Sequence, residues 1–405
     1  MSLMPDFAAA RSGFLLVLLG PLAFLTAWAQ ITPLGDPPPP HAAADQPLAW
    51  RLGAQWQHDD NVLRTSQAAL ADHIWVATAG VRLDQTYSLQ RIELDAQVQG
   101  YRYQRASQLN FNALNYLAAW HWSLGRQWSG RLASERREYV DRFGDASASS
   151  GLIRRTEAAQ TAQVGYRLTQ HWQALGGLFE RRLDNTDPAG QEPDSSVRGA
   201  DLGLRYQLPS DSTLAYRIRD GRGSYSGAAF AGGDFKEREH LLEISSLASA
   251  VLRLNGQLGQ IDREHAQLSG RNFSGWTARV GALWELTGKT AVGAGWVREL
   301  APFQTADASY YEGHRWYLAP QWQAGAKTLL RLRLEDGQRS YKGAPLGALR
   351  PGRQDRLQMV SLQAHWQATR LLQFSAMAQQ DERRSDLGGA DYRARIFAVS
   401  AQAGF

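Results

Sequence analysis

A histidine and a serine two residues apart, His121 and Ser123, could pair a base with a nucleophile. On a β-strand that spacing puts both side chains on one face. Hydrolysis also needs a group to stabilise the oxyanion, and the neighbouring sequence carries no signature of one. The alternation further turns Trp120 and Trp122 to the opposite face. In a membrane strand that face meets lipid, so the serine would point away from a lipid substrate. Asp59, Asp60 and Asn61, next to His58, could offer ligands to a metal. A calcium loop requires alternating acids, a glycine and a distal glutamate, and this run has none of that spacing. A polar turn at the end of a strand is the plainer reading. The other histidines are scattered, with no pair at ligand spacing, and the chain has no cysteine. No catalytic residue, metal or cofactor is expected.

The elements that would position such residues are legible in the alternation. Trp276, Ala278, Val280, Ala282, Trp284 and Leu286 interleave with Thr277, Arg279, Gly281, Leu283 and Glu285. Ala200 to Leu208 and Val360 to Trp366 repeat the pattern. A period of two is the strand signal. The mean hydropathy of −0.41 excludes a bundle of membrane helices, which would need several runs of about 20 apolar residues. The single long apolar run, Gly13 to Ala29, follows Arg11 and ends Ala27-Trp28-Ala29. It reads as a signal peptide over residues 1–29, cleaved after Ala29. Four prolines, Pro37 to Pro40, mark residues 30–47 as an extended periplasmic lead-in.

Residues 48–405 then read as one all-β domain, a single transmembrane antiparallel β-barrel of about 18 strands. Each strand is near the ~9–11 residues that cross a bilayer at a tilt. They are expected to begin near residues 49, 73, 91, 112, 128, 156, 172, 198, 213, 239, 251, 275, 291, 314, 329, 357, 371 and 392. Short turns alternate with polar loops at 137–155, 183–197, 220–238, 300–313 and 336–356, as periplasmic turns alternate with external loops in such barrels. Both termini then lie on the periplasmic side. Trp50, Trp122, Trp128, Trp172, Trp284, Trp322 and Trp366 gather at the short-turn end. Trp56, Trp75, Trp276, Trp296 and Trp316 gather at the other, giving two interfacial girdles.

This register sends Arg131, Arg205, Arg217, Arg219, Arg253, Arg279, Arg331 and Arg333 into the lumen, with Tyr101, Tyr317 and many glutamines between them. Arginine and amide donors suit sugar hydroxyls and carboxylates, and aromatic faces suit sugar rings. A barrel lumen must be polar in any case, and arginine–acid ladders can simply brace its wall. The residues leave both readings open. The net charge of +5 is spread without basic runs, and export argues against a nucleic-acid partner. Membrane lipid is the expected surroundings. The last register, Phe397, Val399, Ala401, Ala403 and Phe405, ends on an aromatic. Phe405 is therefore the expected signal to the barrel-assembly machinery.

The signal peptide, the proline-bearing lead-in and the opening strand Gln55-Trp56-Gln57-His58-Asp59-Asp60-Asn61-Val62-Leu63-Arg64 together resemble the EpsL-like outer-membrane proteins of exopolysaccharide-synthesis and exosortase systems. The length, the sustained alternation and Phe405 extend the resemblance over the chain. His58 departs from the tyrosine-like residue usual before the acids. The resemblance implies export of an exopolysaccharide across the bacterial outer membrane, with the polysaccharide and periplasmic polysaccharide-export proteins as partners. It implies no catalytic residue. A general diffusion porin or small-solute channel is the alternative, and a non-transporting surface barrel with partner-binding loops is a third.

Overall fold

The computed structural model describes residues 46–141, 153–186, 193–208, 212–226, 233–303, 307–343 and 352–405. The signal peptide expected over 1–29, and all of the lead-in but its last two residues, lie outside them. Eighteen strands fill the rest. They are β1 (Leu48–Asp59), β2 (Asp72–Tyr87), β3 (Gln90–Tyr103), β4 (Phe111–Leu124), β5 (Trp128–Asp141) and β6 (Ile153–Arg167). Next come β7 (Trp172–Thr186), β8 (Asp194–Gln207), β9 (Thr213–Ser226), β10 (Phe235–Ser249), β11 (Leu252–His265) and β12 (Phe273–Glu285). The last are β13 (Thr290–Pro302), β14 (Tyr310–Gly325), β15 (Thr328–Lys342), β16 (Gln354–Gln367), β17 (Leu372–Ser385) and β18 (Tyr392–Gly404).

Each strand pairs antiparallel with its chain neighbours, and β1 pairs with β18, from Arg51 opposite Gly404 to Asp59 opposite Ile396. The amide of Trp50 donates to the carbonyl of Phe405 at 2.7 Å, and the amide of Phe405 returns a bond at 3.1 Å. Closure leaves no unpaired edge, which a wall in hydrocarbon requires. The outward face is apolar. Trp50, Trp75, Trp276, Trp284, Trp316, Trp322 and Trp366 are among the exposed side chains.

The strands are longer than the bilayer alone demands, at 12 to 16 residues. The difference lies at the end with the longer connections. β8, β10 and β14 begin at 194, 235 and 310, four residues before the starts expected from the pattern. There the outward residues become charged, as in Asp220, Arg238 and Lys236. The ladder continues past the apolar band, and alternation between apolar and charged residues no longer reports it. The expected loop at 300–313 accordingly keeps only residues 303–309 between strands.

Candidate functional site: the lumen and its periplasmic vestibule

The inward faces differ along the barrel axis. Toward the outer end they are packed. Arg263 on β11 and Arg181 on β7 both bind Glu237 on β10, Arg181 at 3.1 Å. The Arg263 guanidinium lies 4.2 Å from the ring centroid of Phe235 and 4.9 Å from that of Phe273, and it donates to the Tyr225 hydroxyl at 2.5 Å. Arg219 meets Glu239 at 2.5 Å. Phe179 sits between Arg181 and Arg219, its centroid 5.0 and 5.4 Å from the two guanidinium carbons. All these ionic side chains are buried. Sequence reasoning missed Arg181 and Arg263 because strands of bilayer length stop near them. The available signal was the spacing of aromatic and charge two apart, in Phe179-x-Arg181 and Phe235-x-Glu237.

The connection between β1 and β2 also turns inward. Val62 packs with Ile74, Val76, Tyr103 and Phe111. The run Asp59-Asp60-Asn61 is therefore more than a polar turn. Both oxygens of Asp59 accept from Arg64 at 2.9 Å, and Arg64 reaches Asp381 on β17 at 3.9 Å. Asn61 accepts from the amide of Thr65 and donates to the carbonyls of Thr65 and Arg393. His58 lies against His73, ring centroids 4.8 Å apart. With Asp59 occupied by a guanidinium, this group is a latch across β1, β17 and β18.

Toward the periplasmic end the wall from β2 to β9 leaves a cavity of about 450 Å3. Arg131, Arg205 and Arg217 line it with His121, Gln163 and Gln173. Asp201, which faces Gly177, holds Arg217 at 2.6 Å. A Cβ at position 177 would lie 2.5 Å from an Asp201 oxygen, so the glycine makes room for this carboxylate. Arg205 donates to Gln173 at 3.2 Å, and Gln173 donates to Ser129 at 3.1 Å. Arg131 lies between His121 and Gln163 in register. Among the described residues, neither Arg131 nor Arg205 has a carboxylate within 4.0 Å. His121 is turned to Glu93, at 3.5 Å.

The other sequence-predicted lumen residues are dispersed. Arg253 meets Glu285 at 3.5 Å near the periplasmic rim. Arg333 binds Glu335 and lies over Tyr317, 4.7 Å from its centroid. Arg331 stands between Gln321 and Gln363 in register, and Arg279 opposite Gln257. Tyr101 stacks on Phe111 at 4.5 Å within the packed outer cluster. Arg217, Arg219, Arg253 and Arg333 are thus tied to acids of the wall, while Arg131 and Arg205 face the cavity without an acid partner.

A closed antiparallel barrel of 18 strands with an apolar outer band is a bacterial outer-membrane protein. Solved outer-membrane porins share the fold. The outer membrane protein OpdK of Pseudomonas aeruginosa is 11% identical, with a TM-score of 0.50 over 88% of this chain and 99% of that one. A second OpdK structure, with vanillate, gives 10% and 0.50 over the same shares. A BenF-like porin from Pseudomonas fluorescens Pf-5 is 11% identical, with a TM-score of 0.51 over 89% of this chain and 99% of that one. No family model matches the chain. No curated protein matches it either.

These findings correct two expectations. The structural neighbours are porins, not EpsL-like proteins, and the exopolysaccharide-export reading and its polysaccharide partners fall with the resemblance. The features that carried it are shared by outer-membrane barrels at large. Alternation specifies a wall in lipid and says nothing of the cargo.

Proposed function

We propose that the chain is an outer-membrane channel for small solutes and that it favours anions. The observation that carries this reading is the periplasmic cavity, which Arg131 and Arg205 line with no carboxylate within 4.0 Å of either among the described residues. A cavity of one sign with low-dielectric walls raises the local concentration of the opposite charge. Guanidinium forks and amide donors fit a carboxylate. Vanillate, held by OpdK, is a solute of that class and size. In this reading the role is non-enzymatic, with His121 turned to Glu93 rather than paired with Ser123. In planar bilayers the purified barrel should pass small aromatic carboxylates faster than ammonium ions or neutral sugars of equal size. A folded barrel that passes none of them would overturn the proposal.

Phe405 belongs to assembly in the same reading. Its backbone closes the ladder with Trp50, while its side chain stands exposed on the lipid face. Deleting Phe405 should lower the amount of barrel in the outer membrane while export across the inner membrane continues. Heat-modifiable migration of membrane fractions checks this, and normal levels would refute it.

A further inference from the structure

Above the apolar band the outward face carries charge around the rim, and several of these charges are paired. Arg356 meets Asp336 at 2.9 Å, and Arg384 and Arg393 meet Glu382 at 2.7 and 2.9 Å. One run differs. Arg198 on β8 stands opposite Arg222 on β9, which stands opposite Lys236 on β10. All three are exposed. Among the described residues, none of them has a carboxylate within 4.0 Å. The surrounding acids are engaged or apart. Glu180 stands opposite Arg198 in register but binds Arg182 at 3.4 Å, and Asp220 binds Arg238 at 2.8 Å. Glu264 lies opposite Lys236 in register without forming an ion pair.

Like charges directly opposite on adjacent strands repel. Three in a row do not help the sheet fold, and an anion bridging them would turn repulsion into attraction. Phosphate matches two guanidinium forks and an ammonium. Ser196 and Ser224 stand on the next outward row, their hydroxyls 3.5 Å apart, and add donors. The source of the phosphate is set by what lies below. Leu202, Ile218 and Leu242 occupy the same outward faces four to six residues nearer the membrane, all exposed, Leu202 at 72%. Four residues of strand span ~13 Å. An acyl chain lying on these side chains would bring its headgroup to the three cations.

We propose that Arg198, Arg222 and Lys236 form a docking site for the phosphorylated headgroup of an outer-leaflet lipid. The test uses the folded, purified barrel in detergent, with bound lipid counted by native mass spectrometry. Probes are phosphorylated lipid A, its dephosphorylated form, and inorganic phosphate. The wild type should retain phosphorylated lipid A. Dephosphorylated lipid should bind several-fold more weakly, and so should phosphorylated lipid to the triple variant Arg198→Gln, Arg222→Gln, Lys236→Gln. A control with Arg356→Gln, Arg384→Gln and Arg393→Gln removes equal charge from paired positions and should bind as the wild type does. If the triple variant fails to fold, Arg222→Gln alone should weaken binding and Arg222→Lys should retain it. Equal retention by the triple variant would overturn the site. Equal loss in the control would reduce it to bulk charge. Competition by inorganic phosphate at the lipid's own concentration would make it an ion site, and the lipid proposal would fail.

Discussion

Replacing Arg64 by glycine is expected to open the lumen. Arg64 joins the β1–β2 connection to the far side of the closure. It binds Asp59 with two bonds of 2.9 Å, reaches Asp381 and lies 5.9 Å from the Tyr392 centroid. The side chains of Arg64, Asp59 and Asp381 are almost fully buried. Removing one partner of a buried ion pair costs about 3–5 kcal/mol, because the carboxylates left behind are uncompensated. The exchange itself adds no backbone strain, since Arg64 has a φ of 55°, a conformation that glycine adopts freely. The cost therefore falls on the inward seat of Val62 and its neighbours, and the barrel's ladder is untouched. Local opening of that kind is separable from global unfolding. Single-channel conductance should rise several-fold in the variant, with heat-modifiable migration unchanged. Conductance equal to the wild type in a folded variant would remove the connection from the solute route.

Inverting Arg131 and Arg205 together to glutamate is expected to reverse ion selectivity. Both face the same cavity, and the described residues bring no carboxylate within 4.0 Å of either. Two inversions replace two positive charges by two negative ones, a change of four charges in a space of about 450 Å3. In a salt gradient the wild-type reversal potential should have the sign of an anion-preferring channel, and the double variant the opposite sign. Arg131→Gln with Arg205→Gln should fall between them. The contrast should shrink between 0.1 M and 1 M salt, as the Debye length falls from ~10 Å to ~3 Å. An unchanged sign in a folded double variant would show that selectivity is set elsewhere. By contrast, the same exchange at Arg219 should first disturb folding, because its partner Glu239 is buried against it.

Much of the wall was readable without coordinates. A side chain's face on a strand depends only on its parity, so Trp276 to Leu286 and Phe397 to Phe405 declare their lipid side by composition alone. Turn lengths likewise separate the two ends of the barrel. The strand ends at the outer rim were not readable, because beyond the bilayer the outward positions take charge as freely as the inward ones. Arg181 and Arg263 were lost there.

The candidate site divides in the same way. Parity was enough to point Arg131, Arg205, Arg217 and Arg219 inward, since a one-residue error would have put them in hydrocarbon. It could not say which of them would be free to meet a solute. That depends on which acid from a neighbouring strand lies within reach, on Gly177 making room for Asp201 to hold Arg217, and on no acid among the described residues coming within 4.0 Å of Arg131. It depends also on the β1–β2 connection folding inward onto Asp381, more than 300 positions along the chain. Alternation is a local property with a period of two, so the sequence by itself determined the barrel and its two faces. Charge pairing and the packing of inward side chains are contacts across the closed sheet, and only the tertiary structure decided them.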